Sequence, residues 1–442
     1  MKERTQYINK YLKTAALILA LLVMLLTSVS QAALASESSG PLELCEITPV
    51  GDVNTVPPEI TAKSAAMYSI ELEDFVFAKD ADKKYDPYSI TKALTCYIAL
   101  ENLDPEAVHT ASEKAAQVYE NGTTIFLKAG EKMTIKDLVY GAMLESGNDA
   151  AYALGEAVAG SEKDFAELMN KTVRDWGCND TNFVNANGWK NKNHYTTAHD
   201  MAIIARKCFS NETLAEISRT KTYTIPATNL SAERELKNYT LHTVSKAKGV
   251  TYGKTGSWDE DDCSIILGFA KEGLNEIIVL LKDTKTGRKS DVLKLIDFSD
   301  KVTPGFLVSN VGDIVEIAKV RHGEFTEVGL TVDGKTYAYP ASKRAEDIKV
   351  EIRADKLEAP LTKGDKAGTY TVYCNGEVVG EHSLIITEDI KTGWLPSYLY
   401  ISNHETIVIA EYLAGILVLL FLLIVIIKKA AKRRKPKYEA RH

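Results

Sequence analysis

Cysteine and histidine are scarce in this chain, and neither clusters. Six cysteines, at 45, 96, 178, 208, 263 and 374, are spread through 442 residues with no CxxC pair and no histidine-rich spacing. A zinc framework needs closely spaced thiolate or imidazole ligands, so the pattern argues against one. It also excludes a dense disulfide scaffold, and leaves open whether some of the six pair. No low-complexity tract and no repeating unit is present, which removes collagenous, disordered and solenoid architectures. A positive face is missing too. The chain carries −7 overall; residues 428–442 contribute +7 and the first 35 contribute +3, so the segment between holds −17. A surface that acidic repels a phosphate backbone and argues against nucleic-acid binding. No motif calls for a metal or an organic cofactor.

Two apolar runs stand out, one at each end. Lys2, Arg4, Lys10 and Lys13 precede an apolar stretch from Ala15 to Leu26, and Ala33-Leu34-Ala35 follows. A basic head, a short apolar middle and an A-x-A site read as a secretory signal over 1–35, cut after Ala35; an uncut anchor is the alternative. Near the other end, residues 407–427 are long enough to cross a core of ~30 Å at ~1.5 Å per residue. Their one charge, Glu411, lies near the start, and eight basic residues crowd the 428–442 tail. The positive-inside rule keeps that tail in the cytoplasm, while Trp394, Tyr398 and Tyr400 suit the outer interface. The expectation is an exported chain held in the cell membrane by a single C-terminal span, with 389–406 as juxtamembrane segment.

Between the ends the pattern changes once. A spacer over 36–60 leads into alternating stretches at 65–70 and 75–79 that predict a hairpin. Apolar spacings of three and four then predict helices over 90–100, 135–144, 150–158, 163–176 and 198–209. Strand patterns return at 263–270 and 276–283, with Gly273 and Asn275 between them favouring antiparallel pairing, and 289–298 reads as a helix. Residues 61–300 therefore predict an α/β (α+β) domain, a central antiparallel sheet flanked by helices. From 301 to 388, short β runs broken by turns such as Asp333-Gly334 and Asn375-Gly376 predict a small all-β domain ahead of the membrane.

Three short patterns carry chemistry: Ser-x-x-Lys, Ser-x-Asn and Lys-Thr-Gly. The first occurs at Ser89/Lys92, Ser218/Lys221 and Ser245/Lys248, the third at Lys254, Lys285 and Lys391, and Ser146-Gly147-Asn148 occurs once. Order and context decide between the copies. Only Ser89 precedes the single Ser-x-Asn, and it follows Pro87 and opens an apolar helical face. Ser89 and Lys92, three apart, share one side of a helix start. A serine hydroxyl becomes a nucleophile when a nearby base takes its proton, and a lysine can do so when burial and a neighbouring cation lower its pKa. As a bare serine at a helix start, Ser89 reads equally as a cap. Ser146 and Asn148 fall in a Gly-containing loop between helices, where a hydroxyl can relay protons and an amide can bind a peptide. Lys254-Thr255-Gly256 continues a β-like stretch, so a cation and an unobstructed backbone face one groove. The copies at 285 and 391, in a strand-to-helix connection and beside the membrane, read as structural.

Taken in order, these residues resemble the low-molecular-mass D-alanyl-D-alanine carboxypeptidases, penicillin-binding serine peptidases, over roughly residues 61–388. The likeness includes Tyr88-Ser89-Ile90-Thr91-Lys92, Gly130-Glu131-Lys132, Ser146-Gly147-Asn148-Asp149, Asn185-Ala186-Asn187-Gly188, His194-Tyr195-Thr196-Thr197-Ala198 and, in the β region, Lys363-Gly364-Asp365. The resemblance implies a β-lactamase/transpeptidase-like catalytic domain. Its substrates would be peptidoglycan stem peptides ending in D-Ala-D-Ala, with β-lactams as inhibitors. It implies that Ser89 attacks, Lys92 takes its proton, and Ser146 and Asn148 complete relay and binding. Lys254, Thr255 and, more remotely, Arg288 would serve the terminal carboxylate, while backbone N–H groups of Ser89 and Ser257, beside Gly256, form an oxyanion hole. A class A-like β-lactamase, an endopeptidase acting on crosslinks and a non-catalytic wall-binding or β-lactam-sensing protein are the alternatives. Tyr88, Asn187 and Trp189 depart from the family pattern, as does the bulky acidic run from Trp258 to Asp262. That run reads as a solvated loop; the sharper reading has it line the cleft mouth and favour stem peptides with a free amine.

Overall fold

Residues 274–283 read LNEIIVLLKD, and in a strand such a run presents alternate side chains to opposite faces. Ile277, Val279 and Leu281 go to one core, Ile278 and Leu280 to another, so the strand must be covered on both sides. It lies at the centre of a five-stranded antiparallel sheet in the computed structural model, which describes residues 44–117, 122–399 and 401–432 together with Lys13 and Ala20. The sheet runs in the order Asp74–Lys79, Ser64–Ser69, Leu274–Asp283, Cys263–Lys271, Val250–Ser257. Its strands come from the two ends of the domain, as the sequence pattern implies. The helices Lys92–Asn102, Ile135–Leu144, Asn148–Ala159, Glu162–Asp175 and Ala198–Phe209 belong to the core on one face, contributing Leu94, Leu138, Leu154, Phe165 and Ile204. On the other face the helix Lys285–Val302 supplies Val292, Leu295 and Phe298.

Two local expectations change. The last helix starts at Lys285 rather than 289, because Thr284 accepts a hydrogen bond from the Gly287 N–H at 2.8 Å and caps it there. Lys285-Thr286-Gly287 is thus a first helical turn. The spacer over 36–60 contains a strand, Thr48–Val50, which pairs antiparallel with Gly305–Ser309 just past that helix. The signal segment expected over 1–35 lies outside the described residues except for Lys13 and Ala20, as does the tail beyond Lys432.

From Gly305 to Ile386 the regular structure is β apart from the 3-10 turn Ala345–Asp347. Six strands are ordered Ile348–Ala354, Lys366–Cys374, Glu377–Ile386, Glu327–Val332, Ile314–Arg321, Leu357–Glu358, around Val328, Leu330, Val372, Leu384 and Ile386. The final helix, Asn403–Lys432, has a stretch from Asn403 to Ile426 long and apolar enough to cross a membrane. Ser402 and Glu405 form a capping box: the Glu405 N–H donates to Ser402 Oγ at 3.1 Å and the Ser402 N–H to Glu405 Oε2 at 2.7 Å. The Asn403 N–H donates to the Glu324 carbonyl and the Gly393 N–H to the His322 carbonyl, so this helix begins tied to a turn of the β region.

Candidate active site

The turn that carries Ser89 is clamped by its neighbours. Residues Tyr88–Thr91 form a 3-10 turn ahead of the helix Lys92–Asn102. Tyr88 has φ +54°, a left-handed conformation that side chains rarely adopt without support. The support is packing. A Cβ on Gly188 would sit 1.8 Å from the Tyr88 carbonyl oxygen, and one on Gly256 would sit 2.9 Å from the Ser89 nitrogen. Ser264 Oγ donates to the Pro87 carbonyl at 2.6 Å. The glycine of Lys-Thr-Gly is therefore the contact by which the edge strand reaches the nucleophile backbone.

Lys92 is fully buried, and its Nζ has three neighbours: Ser89 Oγ at 2.8 Å, Asn148 Oδ1 at 2.8 Å and the Asn187 carbonyl at 2.9 Å. Burial, then the charge of Lys254, lowers its pKa well below the ordinary lysine value. A neutral amine has two N–H donors and one lone pair. All three neighbours accept from Nζ; once the amine has lost a proton, Asn148 and Asn187 can keep its two N–H groups and its lone pair can face the Ser89 hydroxyl.

Ser146 and Asn148 arrive differently from the sequence picture. Asn148 is the first residue of its helix rather than part of a loop. Ser146 has φ +59°, held by Thr123, whose hydroxyl donates to the Ser146 carbonyl at 2.6 Å and whose carbonyl accepts the Asn148 N–H at 2.8 Å. Beneath them Asp149, buried and pushed up in pKa by desolvation, accepts N–H bonds from Ile125 and Leu127.

Lys254 comes from the edge strand Val250–Ser257. Its buried Nζ donates to Ser146 Oγ and to the Thr255 carbonyl, both at 2.9 Å. Burial, with Arg288 adding to it, lowers its pKa to about 7. Thr255 Oγ1 lies 3.2 Å from Thr240 Oγ1, and the Ser257 side chain is exposed at the strand end. Arg288, wholly buried, donates from Nη1 to the Gly256 carbonyl at 2.7 Å, to Ser257 Oγ at 3.1 Å and to the Ser264 carbonyl at 3.0 Å. It braces the strand from behind, through the Gly256 carbonyl and Ser257. Within its sheet this strand pairs on one side alone; at Thr255 the N–H donates to Thr240 Oγ1 at 3.1 Å and the carbonyl accepts from Lys254.

One fold thus brings Ser89, Lys92, Ser146, Asn148, Lys254, Thr255, Gly256 and Ser257 into a single groove. Three contributors had no sequence signal of their own: the Asn187 carbonyl, the Thr240 hydroxyl and the Asp149 carboxylate. Asn187 and Asp149 stand inside stretches that carry the family likeness, but their partners are far away in the chain. Of the acidic run, Glu260 bonds Lys285 at 2.7 Å and Asp262 bonds Lys282 and the Tyr88 hydroxyl, while Asp259 and Asp261 are exposed. All six cysteines are free, five of them buried.

A serine hydroxyl in contact with a buried lysine, at a helix start in a domain whose sheet is covered by helices on both faces, is the equipment of a serine acyl-transfer hydrolase. Sequence comparison narrows it. The D-alanyl-D-alanine carboxypeptidase profile matches residues 52–285, and the profile of the penicillin-binding protein 5 C-terminal domain matches 307–392. The chain belongs to the D-alanyl-D-alanine carboxypeptidase family, the serine peptidases it resembles in sequence. It is 30% identical over 351 residues to the D-alanyl-D-alanine carboxypeptidase DacF of Bacillus subtilis (strain 168), covering 76% of this chain and 88% of that one. With the enzyme DacA of Escherichia coli (strain K12) it shares 26% over 352 residues, 76% of this chain and 85% of the other. Among solved structures, penicillin binding protein 5 from Haemophilus influenzae superposes with a TM-score of 0.54 at 24% identity, over 76% of this chain and all of that one, a likeness of fold.

Proposed function

We propose that Ser89 is the nucleophile of a serine D-Ala-D-Ala carboxypeptidase that removes the terminal D-alanine from peptidoglycan stem peptides and is acylated by penicillin. The observation that carries this is the 2.8 Å contact between the buried Lys92 Nζ and Ser89 Oγ, with Asn148 and the Asn187 carbonyl as the amine's other two partners. As that proton moves to Nζ, Oγ bonds to the carbonyl carbon of the penultimate D-alanine. Charge on the carbonyl oxygen falls to the N–H groups of Ser89 and Ser257. Collapse expels the terminal D-alanine, whose amine takes a proton through Lys92 and Ser146; water then cleaves the ester. Asn148 holds the peptide, and Lys254 with Thr255 takes the terminal carboxylate, Arg288 acting through Ser257. A gel with fluorescent penicillin tests the reading: the wild-type chain labels and Ser89→Ala does not. Label on the Ser89→Ala chain overturns it.

The same reading assigns residues 61–300 to the catalytic domain and 301–388 to a spacer domain. Residues 407–427 form the span, the catalytic domain lies outside the cell, and the basic 428–442 tail lies in the cytoplasm. The basic residues from Lys428 support this orientation. Protease added to intact, wall-stripped cells should remove the catalytic domain and spare a tag placed after His442.

A further inference from the structure

Three aromatic side chains that depart from the family pattern meet beside the nucleophile. The Trp258 ring stands 6.3 Å from that of Tyr88, nearly parallel at 23°, and 5.3 Å from that of Trp189, edge-on at 76°. Tyr88 directly precedes the nucleophile and is 2% exposed. Its hydroxyl donates to Asp262 at 2.7 Å, and the Trp258 N–H donates to the Asp262 carbonyl at 2.9 Å, closing the turn that carries the tryptophan. Tyr88 therefore both backs the Trp258 ring and fastens the far end of its turn. Trp189 is held next to Gly188, which packs on the Tyr88 carbonyl. The wall is built from both sides of the nucleophile turn, and yet Trp258 remains 46% exposed. Its nearest polar cover is the exposed Lys190, with Nζ 5.6 Å from the ring centroid.

The direction of the groove says what meets this wall. On the function proposed above, which this inference presupposes, the scissile carbonyl faces Ser89 and the terminal carboxylate lies with Lys254 and Thr255. The peptide then leaves toward the other end of the edge strand, past Ser257, where Trp258 stands. We propose that Trp258, backed by Tyr88 and flanked by Trp189, is a specificity wall that takes the long methylene stem of the residue preceding the two D-alanines. A flat ring covers apolar stem atoms whatever the charge at their tip. Of the carboxylates nearby, Glu260 and Asp262 are paired with lysines, while Asp259 and Asp86 lie near enough to act on Tyr88; the wall's own contribution is therefore to the stem, and acetylating the amine separates the two.

The test uses the full-length chain and three Nα-acetylated peptides, X-D-Ala-D-Ala, with X alanine, lysine or Nε-acetyl-lysine. The wild-type chain should show kcat/KM about tenfold higher for both lysine-based peptides than for the alanine peptide, a factor within reach of a few covered methylenes. Trp258→Ala should bring that ratio toward one, Trp258→Phe should keep most of it, and Trp189→Leu should lower it partway. An equal ratio in wild type and Trp258→Ala overturns the proposal. So does a preference for lysine that acetylation abolishes, since charge would then be the determinant. If no peptide is cleaved and Ser89 takes no penicillin label, the parent function and the wall fall together. If label forms and the ratio is flat, only the wall falls.

Discussion

Lys92 Nζ and Ser89 Oγ stand 2.8 Å apart across a change of helix type, the serine in a 3-10 turn and the lysine opening the α-helix behind it. The tighter turn keeps a three-residue spacing on one side, so the amine reaches the hydroxyl while its N–H groups point to Asn148 and Asn187. Most of what can be tested about the site follows from that arrangement.

A general base must be able to lose its proton. Lys92→Ala should lower the rate of Ser89 acylation by penicillin by a factor of ~10³. Lys92→Arg should rescue little, because a guanidinium stays charged under all working conditions. Stopped-flow or gel-based acylation rates decide it; an arginine variant within tenfold of wild type would remove Lys92 from the base role.

Lys254 has its pKa lowered to about 7, first by burial. Its positive charge serves a carboxylate only below that value, so kcat/KM for D-Ala-D-Ala peptides should fall as pH rises through about 7 in the free enzyme. Lys254→Arg should carry a permanent charge and flatten that limb, at some cost in rate from its bulk. A wild-type profile and a Lys254→Arg profile of identical shape would sink the assignment.

Gly256 is where strand and nucleophile touch. Gly256→Ala would press a methyl into Ser264 Oγ, 2.8 Å from the Pro87 carbonyl oxygen and 2.9 Å from the Ser89 nitrogen, so Ser264, whose hydroxyl holds Pro87, and the turn must both give. Penicillin acylation should drop by at least ~10², the scale set by the loss of an oxyanion donor. The melting temperature should fall by only a few degrees. Acylation at the wild-type rate would show that the turn tolerates displacement.

Glu276 tests the sheet rather than the groove. It sits on the central strand, its Oε1 accepts from Thr303 Oγ1 at 2.6 Å, and burial raises its pKa to about 7. A carboxyl with a raised native pKa binds more protons folded than unfolded between the ordinary carboxylate value and about 7. Stability is therefore lost as pH rises across that window, by on the order of 3 kcal/mol at ~1.4 kcal/mol per pH unit. Glu276→Gln should melt higher than wild type at pH 8 and close to it at pH 5; equal differences at both pH values would refute it.

The local parts of this protein were legible because local rules govern them. The period-2 run of the central strand, the helices Ile135–Leu144 and Ala198–Phe209, and the spacing of Ser89 to Lys92 follow from backbone geometry and short-range packing. The motif order also picked Lys254 over its two copies. The Asn187 carbonyl was not legible: a backbone group has no sequence identity, and its value lies in meeting an amine 95 positions away. Nor was the strand at Thr48–Val50, whose partner lies past residue 300 in a stretch separated from it by the whole catalytic domain.

The sequence alone thus determined the kinds of element, the two apolar ends, the acidic middle and the short list of groups able to do acyl chemistry. Those depend on composition and on neighbours a few residues apart. Tertiary structure decided which of the listed groups are covered and in which direction burial moves their pKa values. It also put Trp258 against Tyr88, and left Val250–Ser257 at the edge of its sheet. Desolvation and long-range contact are set by what the rest of the chain places around a residue, and the residue itself carries no record of it.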